Sequence, residues 1–273
     1  MHEIVTNHVY LSEKEETSMA RNHIPKDYSN PPQFVDRLFN NMFLDDYQYE
    51  YANAIWDKDT ITVLVNARSG TGKTTIACGV GDMLVKYGRY NGIIYIASPT
   101  QEERQGYLPG SLEEKSAPYF APMLEAMDAC NMSRSVLINS ENIDKQKNGI
   151  AEYPYYPYVE CITHTYLRGR NIENKVVIVD EAQNYYTDEL QKTLTRIKDD
   201  CKIIIIGHTG QVDLYKNREN SGFDKYLEHF KKVEDDPRVK ICKLKRNYRG
   251  WFSNYADAIN DPELLEEILN PHN

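Results

Sequence analysis

The fold of this chain is decided by residues 67–75, Ala-Arg-Ser-Gly-Thr-Gly-Lys-Thr-Thr. They follow an apolar run over residues 61–65 and precede a helical pattern over residues 76–85. A glycine-rich turn between a strand and a helix, closing on Lys-Thr, is a Walker A phosphate loop. Its glycines let backbone N–H groups turn toward an anion, and the helix N-terminus adds partial positive charge. The stretch predicts a nucleoside triphosphate site.

Each side chain of this loop has an expected role. Lys73 is placed to reach the β- and γ-phosphates, and the Thr74 hydroxyl to hold Mg²⁺. Ala67 stands where the motif usually has its first glycine. The rest of the predicted nucleotide cradle comprises Ser69, Gly70, Thr71, Gly72 and Thr75.

A second motif has the form of a Walker B. Residues 175–179, Lys-Val-Val-Ile-Val, read as a buried strand and end on Asp180 and Glu181. Two carboxylates after an aliphatic run are costly unless a cation or a polar crevice faces them. Asp180 is expected to hold Mg²⁺ through water, and Glu181 to orient and deprotonate the attacking water. Together the two motifs predict an ATPase or GTPase.

Composition bounds the class of protein. A hydrophobic content of 41% and an aromatic content of 11% are enough for a sizeable core. No run reaches the roughly 18 apolar residues of a membrane helix, and the N-terminus lacks the pattern of a signal peptide. The five cysteines form no C-x-x-C pair, so we expect reduced packing residues in a cytoplasmic protein. A net charge of −9 argues against a broadly basic surface but leaves room for the basic cluster over residues 231–249.

Strand and helix patterns alternate along the chain. Residues 1–30 are expected to form an extended or partly ordered arm, and residues 31–273 a single domain with a short basic extension from about residue 239. Helices are predicted over residues 33–44, 45–56 and 187–197. Buried strands are predicted over residues 92–99 and 202–208, a weaker strand over 159–165 and an edge strand over 239–244. Such alternation predicts an α/β fold, a mostly parallel sheet with helices on both faces.

Several further stretches together resemble the PhoH family, relatives of superfamily 1 helicases. They run in family order: residues 106–115 (Gly-Tyr-Leu-Pro-Gly-Ser-Leu-Glu-Glu-Lys), 166–170 (Tyr-Leu-Arg-Gly-Arg), 180–184, 194–196, 207–214 and 221–222. The resemblance implies a RecA-like P-loop core that binds and hydrolyses ATP with Mg²⁺, and a ring-like homo-oligomer. It does not extend to a second RecA-like domain. His208 stands where the family usually has aspartate, which puts fast turnover in doubt.

The helicase resemblance also assigns residues outside the two motifs. Gln48 lies where these proteins place a glutamine that reads adenine; the alternative is a surface glutamine on an amphipathic helix. Gln183 and Gln211 are candidates for sensing the γ-phosphate or its attacking water, and Gln183 is alternatively a helix cap. Arg249, in residues 245–249 (Lys-Arg-Asn-Tyr-Arg), resembles the arginine that stabilises charge on the γ-phosphate. Its rivals for that role are Arg168 and Arg170, and its alternative is a solvated basic patch.

Three functions remain open from the sequence. The first is an ATP-hydrolysing motor or remodeller associated with single-stranded RNA or DNA. The second is an ATP-dependent switch or assembly factor that acts on proteins, and the third is a small-molecule kinase. Because one face of the nucleotide crevice would be open in a monomer, we expect a neighbouring subunit to close it and supply an arginine.

Overall fold

A six-stranded parallel sheet forms the centre of the computed structural model, which describes residues 43–99, 112–148, 156–210, 221–260 and 262–270. The strands are β1 (Thr62–Asn66), β2 (Ile93–Ala97), β3 (Val159–Thr163), β4 (Val176–Val179), β5 (Lys202–Gly207) and β6 (Val239–Lys243). Their order across the sheet is β3-β2-β4-β5-β1-β6. The four inner strands are almost entirely apolar, as expected where both faces of a parallel sheet are covered.

Helices cover both faces of this sheet. They are α1 (Asp46–Trp56), α2 (Lys73–Lys86), α3 (Leu112–Ala129), α4 (Ser140–Lys147), α5 (Thr187–Leu194), α6 (Gly222–Lys231), α7 (Trp251–Asp257) and α8 (Pro262–Leu269). Alternate strand residues such as Val63, Tyr95 and Ile178 pack with α1, α2 and α3 into one core. Residues of opposite parity pack against α5 and α6 on the other face. The predicted α/β class, a parallel sheet with helices on both faces, is confirmed.

The predicted strands are present, and one predicted helix is shorter than expected. The weak strand at 159 is the edge strand β3, and the strand at 239 is β6, the opposite edge. The helix predicted over residues 187–197 ends at Leu194, because the chain turns there to let Ile197 bridge to Ile172. The arm over residues 1–30 and most of the helix predicted over 33–44 lie outside the described residues.

A buried lysine closes the C-terminal end of α1. Lys202, fully buried at the start of β5, donates through Nζ to the carbonyl oxygens of Asp57, at 2.6 Å, and of Thr60. Burial lowers the pKa of Lys202 to about 7, and the nearby Arg89 adds to that shift. Unfolding returns the group to its ordinary value, so the unfolded chain binds more protons between these two pKa values. The contribution of Lys202 to the free energy of unfolding therefore rises with pH above 7.

Replacing Lys202 should remove this pH dependence. We expect the difference in free energy of unfolding between wild type and Lys202→Met to grow in favour of wild type, by up to about 1.4 kcal/mol per pH unit between roughly pH 7.5 and 9.5. Denaturant titrations across that range measure it, with the exposed Lys231→Met as control. A difference that is constant with pH would mean that Lys202 stays charged and is held by its two carbonyls.

Candidate nucleotide-binding site

The site lies where the carboxyl ends of β1, β4 and β5 meet. β5 pairs with both β1 and β4, so the loops that leave β1 and β4 are two strands apart at the same edge of the sheet. The carboxyl edge of an open α/β sheet is where such folds bind ligands. The register thus brings the predicted Walker A and Walker B residues together.

The phosphate loop has the backbone that its glycines permit. Gly70 and Gly72 adopt φ values of 78° and 85°, in the left-handed region where a side chain is disfavoured. Ala67, by contrast, is not among the described residues with positive φ, and its N–H donates to the Gly207 carbonyl at 3.1 Å. Alanine can therefore replace the usual first glycine without backbone strain.

The Lys73 ammonium lies at the centre of this loop. Its Nζ donates to the carbonyl oxygens of Ala67 and Arg68, both at 2.7 Å. Burial lowers the pKa of Lys73, whereas the carboxylates of Asp180 and Glu181 raise it. A half-buried cation beside backbone carbonyls and near two carboxylates is suited to receive phosphate charge.

Thr74 and Asp180 are joined directly. The Thr74 hydroxyl donates to Asp180 Oδ2 at 2.9 Å, and the backbone N–H of Glu181 donates to Oδ1 at 2.9 Å. A third donor is the buried Tyr95 of β2, whose hydroxyl lies 3.0 Å from the same Oδ2. Hydroxyl and carboxylate oxygens are the ligands that Mg²⁺ prefers. The donor set therefore fits the predicted ion.

Glu181 follows Asp180 in an unusual backbone conformation. Its φ of 50° and ψ of 42° place a residue with a side chain in the left-handed region, which is sparsely populated and recurs at functional sites. The Gln183 amide donates to Glu181 Oε2 and accepts the backbone N–H of His208 at 3.0 Å. Gln183 is therefore buried and links the end of β4 to the end of β5 rather than capping a helix through its side chain.

The segment over residues 245–249 covers the phosphate loop of its own chain. The backbone N–H of Tyr248 donates to the Gly70 carbonyl at 2.9 Å, and the Tyr248 hydroxyl donates to Asp45 Oδ2 at 2.7 Å. Arg249 lines the same cavity as Lys73 and lowers its pKa. Arg249 thus faces the phosphate loop of its own chain, and the arginine expected from a neighbouring subunit stays a prediction.

Gln48 connects α1 to the phosphate loop. It is buried, which excludes the surface-glutamine alternative. Its Nε2 donates to the Thr71 carbonyl at 3.0 Å, and its Oε1 accepts the backbone N–H of Asp45 at 3.1 Å. An amide has two donor hydrogens and two acceptor lone pairs. One of each remains for a ligand, so adenine reading stays available to Gln48.

These elements enclose a cavity of about 740 Å³, within the usual range for small-molecule sites. One end is polar, and the other is lined mainly by apolar side chains of the segment before α1, of α2 and of α3: Phe43, Leu44, Ile76, Pro122, Ala126 and Ala129. A polar end beside an apolar end matches the phosphates and base of a nucleotide.

Most predicted site residues meet at this cavity. Those that line it are Gln48, Ser69, Gly70, Gly72, Lys73, Thr74, Thr75, Glu181 and Arg249. Thr71 is buried behind the loop with its hydroxyl on the Arg68 carbonyl, and Asp180 lies behind Thr74. Arg168 is exposed, and Arg170 pairs with Glu160 at 2.7 Å; neither lines the cavity. Gln211 lies outside the described residues.

Most of this chain, residues 44–249, matches the family profile described as "PhoH-like protein". The chain belongs to the PhoH-like family. Protein PhoH2 of Bacillus subtilis is 31% identical over 70% of this chain and 41% of its own length. A PhoH-like protein of Synechocystis is 30% identical over 82% of this chain and 60% of its own.

This PhoH-like chain spans about half the length of the curated relatives it matches; for protein PhoH of Escherichia coli K12 the share is 51%. Among solved structures, a Pif1 helicase from Bacteroides with ADP-AlF3 and ssDNA is similar at 16% identity and a TM-score of 0.39, over 84% of this chain and 49% of that one. A Sulfolobus solfataricus SWI2/SNF2 ATPase core with dsDNA gives 13% identity and 0.42, over 78% and 47%.

Sequence reasoning missed Tyr95. In the sequence it is one more bulky residue of a buried strand, and its hydroxyl is recognisable only once β2 is known to pair with β4. In that register Tyr95 lies beside Ile178, two residues before Asp180. The hydroxyl then reaches the carboxylate and orients it.

Removing this hydroxyl should weaken the metal site. We expect Tyr95→Phe to lower the affinity for Mg²⁺ by about 10-fold, the usual effect of losing a group that orients a ligand. The measurement is the Mg²⁺ concentration for half-maximal binding of a fluorescent ADP. The control is Tyr185→Phe, since the Tyr185 hydroxyl donates to the Ile96 carbonyl instead. Equal Mg²⁺ affinity in wild type and Tyr95→Phe would contradict the orienting role.

Proposed function

We propose that this PhoH-like protein is an Mg²⁺-dependent ATPase that acts with single-stranded RNA or DNA as a motor or remodeller. The observation that carries the ATPase part is the meeting of both motifs at one cavity, with the Thr74 hydroxyl 2.9 Å from Asp180 Oδ2 and with Lys73 and Glu181 beside them. Binding of ATP rather than GTP is supported by Gln48, which retains one donor and one acceptor.

The reaction is in-line attack of water on the γ-phosphorus. Glu181 accepts a proton from the water as its oxygen bonds to phosphorus, and the bond to the β-phosphate oxygen breaks to release ADP and phosphate. The Gln183 amide donates to Glu181 Oε2 and so orients the carboxylate that is proposed to accept the proton. A positioned general base typically contributes about 10²- to 10⁴-fold.

Charge that develops on the γ-phosphate is met by two cations. In this proposal Lys73 acts from within the loop and Arg249 from the covering segment, and both line the cavity of one chain. Thr74 and Asp180 would hold Mg²⁺, which supplies further neutralisation of the phosphates when bound. Gln211 is retained as a proposed sensor of the γ-phosphate from sequence resemblance alone.

The nucleic-acid part rests on the helicase-like motifs and on the exposed basic residues near Arg249. Steady-state ATP hydrolysis, measured with and without single-stranded RNA and DNA, tests it. Stimulation by either strand supports the motor or remodeller. Hydrolysis that neither strand changes favours the alternative, an ATP-dependent switch acting on proteins.

A ring-like homo-oligomer and a cytoplasmic location remain proposals. The first is supported by the sequence resemblance, and sedimentation of the purified protein measures it. The second is supported by cysteines that are all free and mostly buried. Along the described segments of the chain, no helix has the length and apolarity needed to cross a membrane.

Glu181→Gln should separate binding from hydrolysis. The amide keeps the shape of the side chain and loses the base, so we expect ATP to bind normally and turnover to fall about 10²- to 10⁴-fold. Equilibrium binding of ATP and release of phosphate measure the two effects. Lys73→Ala serves as the comparison, because it should lose both. Loss of Mg·ATP binding in Glu181→Gln would make Glu181 a ligand instead of the base.

Arg249 should act within its own chain. We expect Arg249→Ala to lower turnover by about 10³-fold or more, as for arginines that stabilise phosphoryl transfer elsewhere. Mixing it with Lys73→Ala should restore nothing, because neither chain then holds a complete site. The rate of phosphate release in the mixture is the readout. Recovery above the sum of the separate variants would place Arg249 in a neighbour's site.

A further inference from the structure

Exposed aromatic side chains lie on α7, directly after the segment that covers the phosphate loop. Trp251 is 66% exposed, Phe252 79% and Tyr255 45%. The rings of Trp251 and Tyr255 are stacked, with centroids 5.2 Å apart and planes inclined by 15°. We call these three residues the α7 aromatic surface. Aromatic groups this exposed mark interaction sites more often than scattered surface residues do.

The chain that leads into this surface carries only basic charge, whereas α7 ends on Asp257 and α8 carries Glu263, Glu266 and Glu267. Residues 239–256 contain five basic residues and no acidic one, although the whole chain has a net charge of −9. All five are exposed: Lys240, Lys243, Lys245, Arg246 and Arg249. This local positive charge is complementary to a polyanion.

Stacked rings beside cations match the chemistry of a single nucleic-acid strand. Every base has a π face, so unpaired bases stack on exposed aromatic rings whatever their sequence, while basic side chains neutralise the phosphates. A duplex keeps its bases stacked on one another and would engage the cations alone.

The same surface is tied to the nucleotide cavity. Asn254 of α7 donates to the Gly250 carbonyl at 2.9 Å and to the Asn247 carbonyl at 3.4 Å, which fixes the helix to the covering segment. That segment holds Gly70 through Tyr248, and Arg249 lies only two residues before Trp251. A ligand that moves α7 would therefore change the position of Arg249.

We propose that the α7 aromatic surface, flanked by Lys245 and Arg246, binds a single strand of RNA or DNA by base stacking, and that this contact is how the strand acts on the ATP site. The inference rests on the proposed function, because it places the partner named there.

Tryptophan fluorescence tests the contact directly. The chain has two tryptophans, of which Trp56 is 4% exposed. Titrating the full chain with single-stranded poly(U) and poly(dT) should quench the emission of Trp251 as bases stack on it. Trp251→Phe should keep the affinity, because the ring is retained, and should lose the quenching. Quenching that survives in Trp251→Phe would overturn the proposal.

Affinity for a fluorescein-labelled single strand, read by anisotropy, provides the second arm. We expect Phe252→Ala with Tyr255→Ala to weaken binding by about 10-fold or more, given the usual worth of one stacked base. The control is Tyr156→Ala, an exposed tyrosine that precedes β3 at the opposite edge of the sheet.

The salt dependence of binding tests the two cations. Lys245→Gln with Arg246→Gln should reduce the slope of log K against log salt concentration by about 0.7 for each phosphate contact that is lost. Its control, with an equal change in charge, is Lys231→Gln with Lys232→Gln.

The outcomes separate this inference from the function beneath it. Wild-type protein that binds neither strand would defeat both. If wild type binds and the α7 variants bind equally well, the strand lies elsewhere and only the inference fails. Sedimentation of the same variants covers the remaining possibility: loss of an oligomer with unchanged strand affinity would make the surface a subunit interface and overturn the proposal. Circular dichroism melts verify that each variant is folded.

Discussion

The buried carboxylate of Asp180 is the group on which the rest of the site depends. A carboxylate taken out of water is costly unless donors satisfy it, and here three do, from three different elements. Thr74 comes from the phosphate loop, Tyr95 from the adjacent strand and the Glu181 N–H from the next peptide. Because all three donors must reach one carboxylate, they constrain how β2, β4 and α2 pack together. It also accounts for the left-handed turn at Glu181, whose N–H folds back onto Asp180.

Local sequence patterns were sufficient to predict the strands and the two nucleotide motifs of this protein. The inner strands are short, mostly aliphatic runs, and each nucleotide motif is contiguous, so their positions could be predicted without knowing the fold. Residues such as Lys73, Thr74 and Glu181 reach the cavity because they follow strands whose carboxyl ends share one edge. That placement follows from parallel topology alone.

What could not be read depends on contacts between distant segments. The Tyr95 hydroxyl meets Asp180 across 85 positions, and Tyr248 meets Asp45 across 203. No periodicity encodes such a pairing. The approach of Arg249 to its own phosphate loop is of the same kind. The edge strand over residues 239–244 could be predicted, but not that β6 lies beside β1 and brings residues 245–249 onto the phosphate loop.

A substitution at Gly70 would affect two parts of the site at once, which matters for interpreting mutant phenotypes in this family. A Cβ at this position would lie 2.4 Å from Asn247 Oδ1 and 2.9 Å from Arg249 Cγ, in addition to straining a backbone of φ 78°. Gly70 thus contacts the covering segment directly and is also part of the phosphate loop. An alanine allele there would combine two defects, a distorted loop and a displaced Arg249. Its phenotype would therefore not diagnose loss of nucleotide binding, and suppressors of it would be sought near Asn247 as well as in the loop.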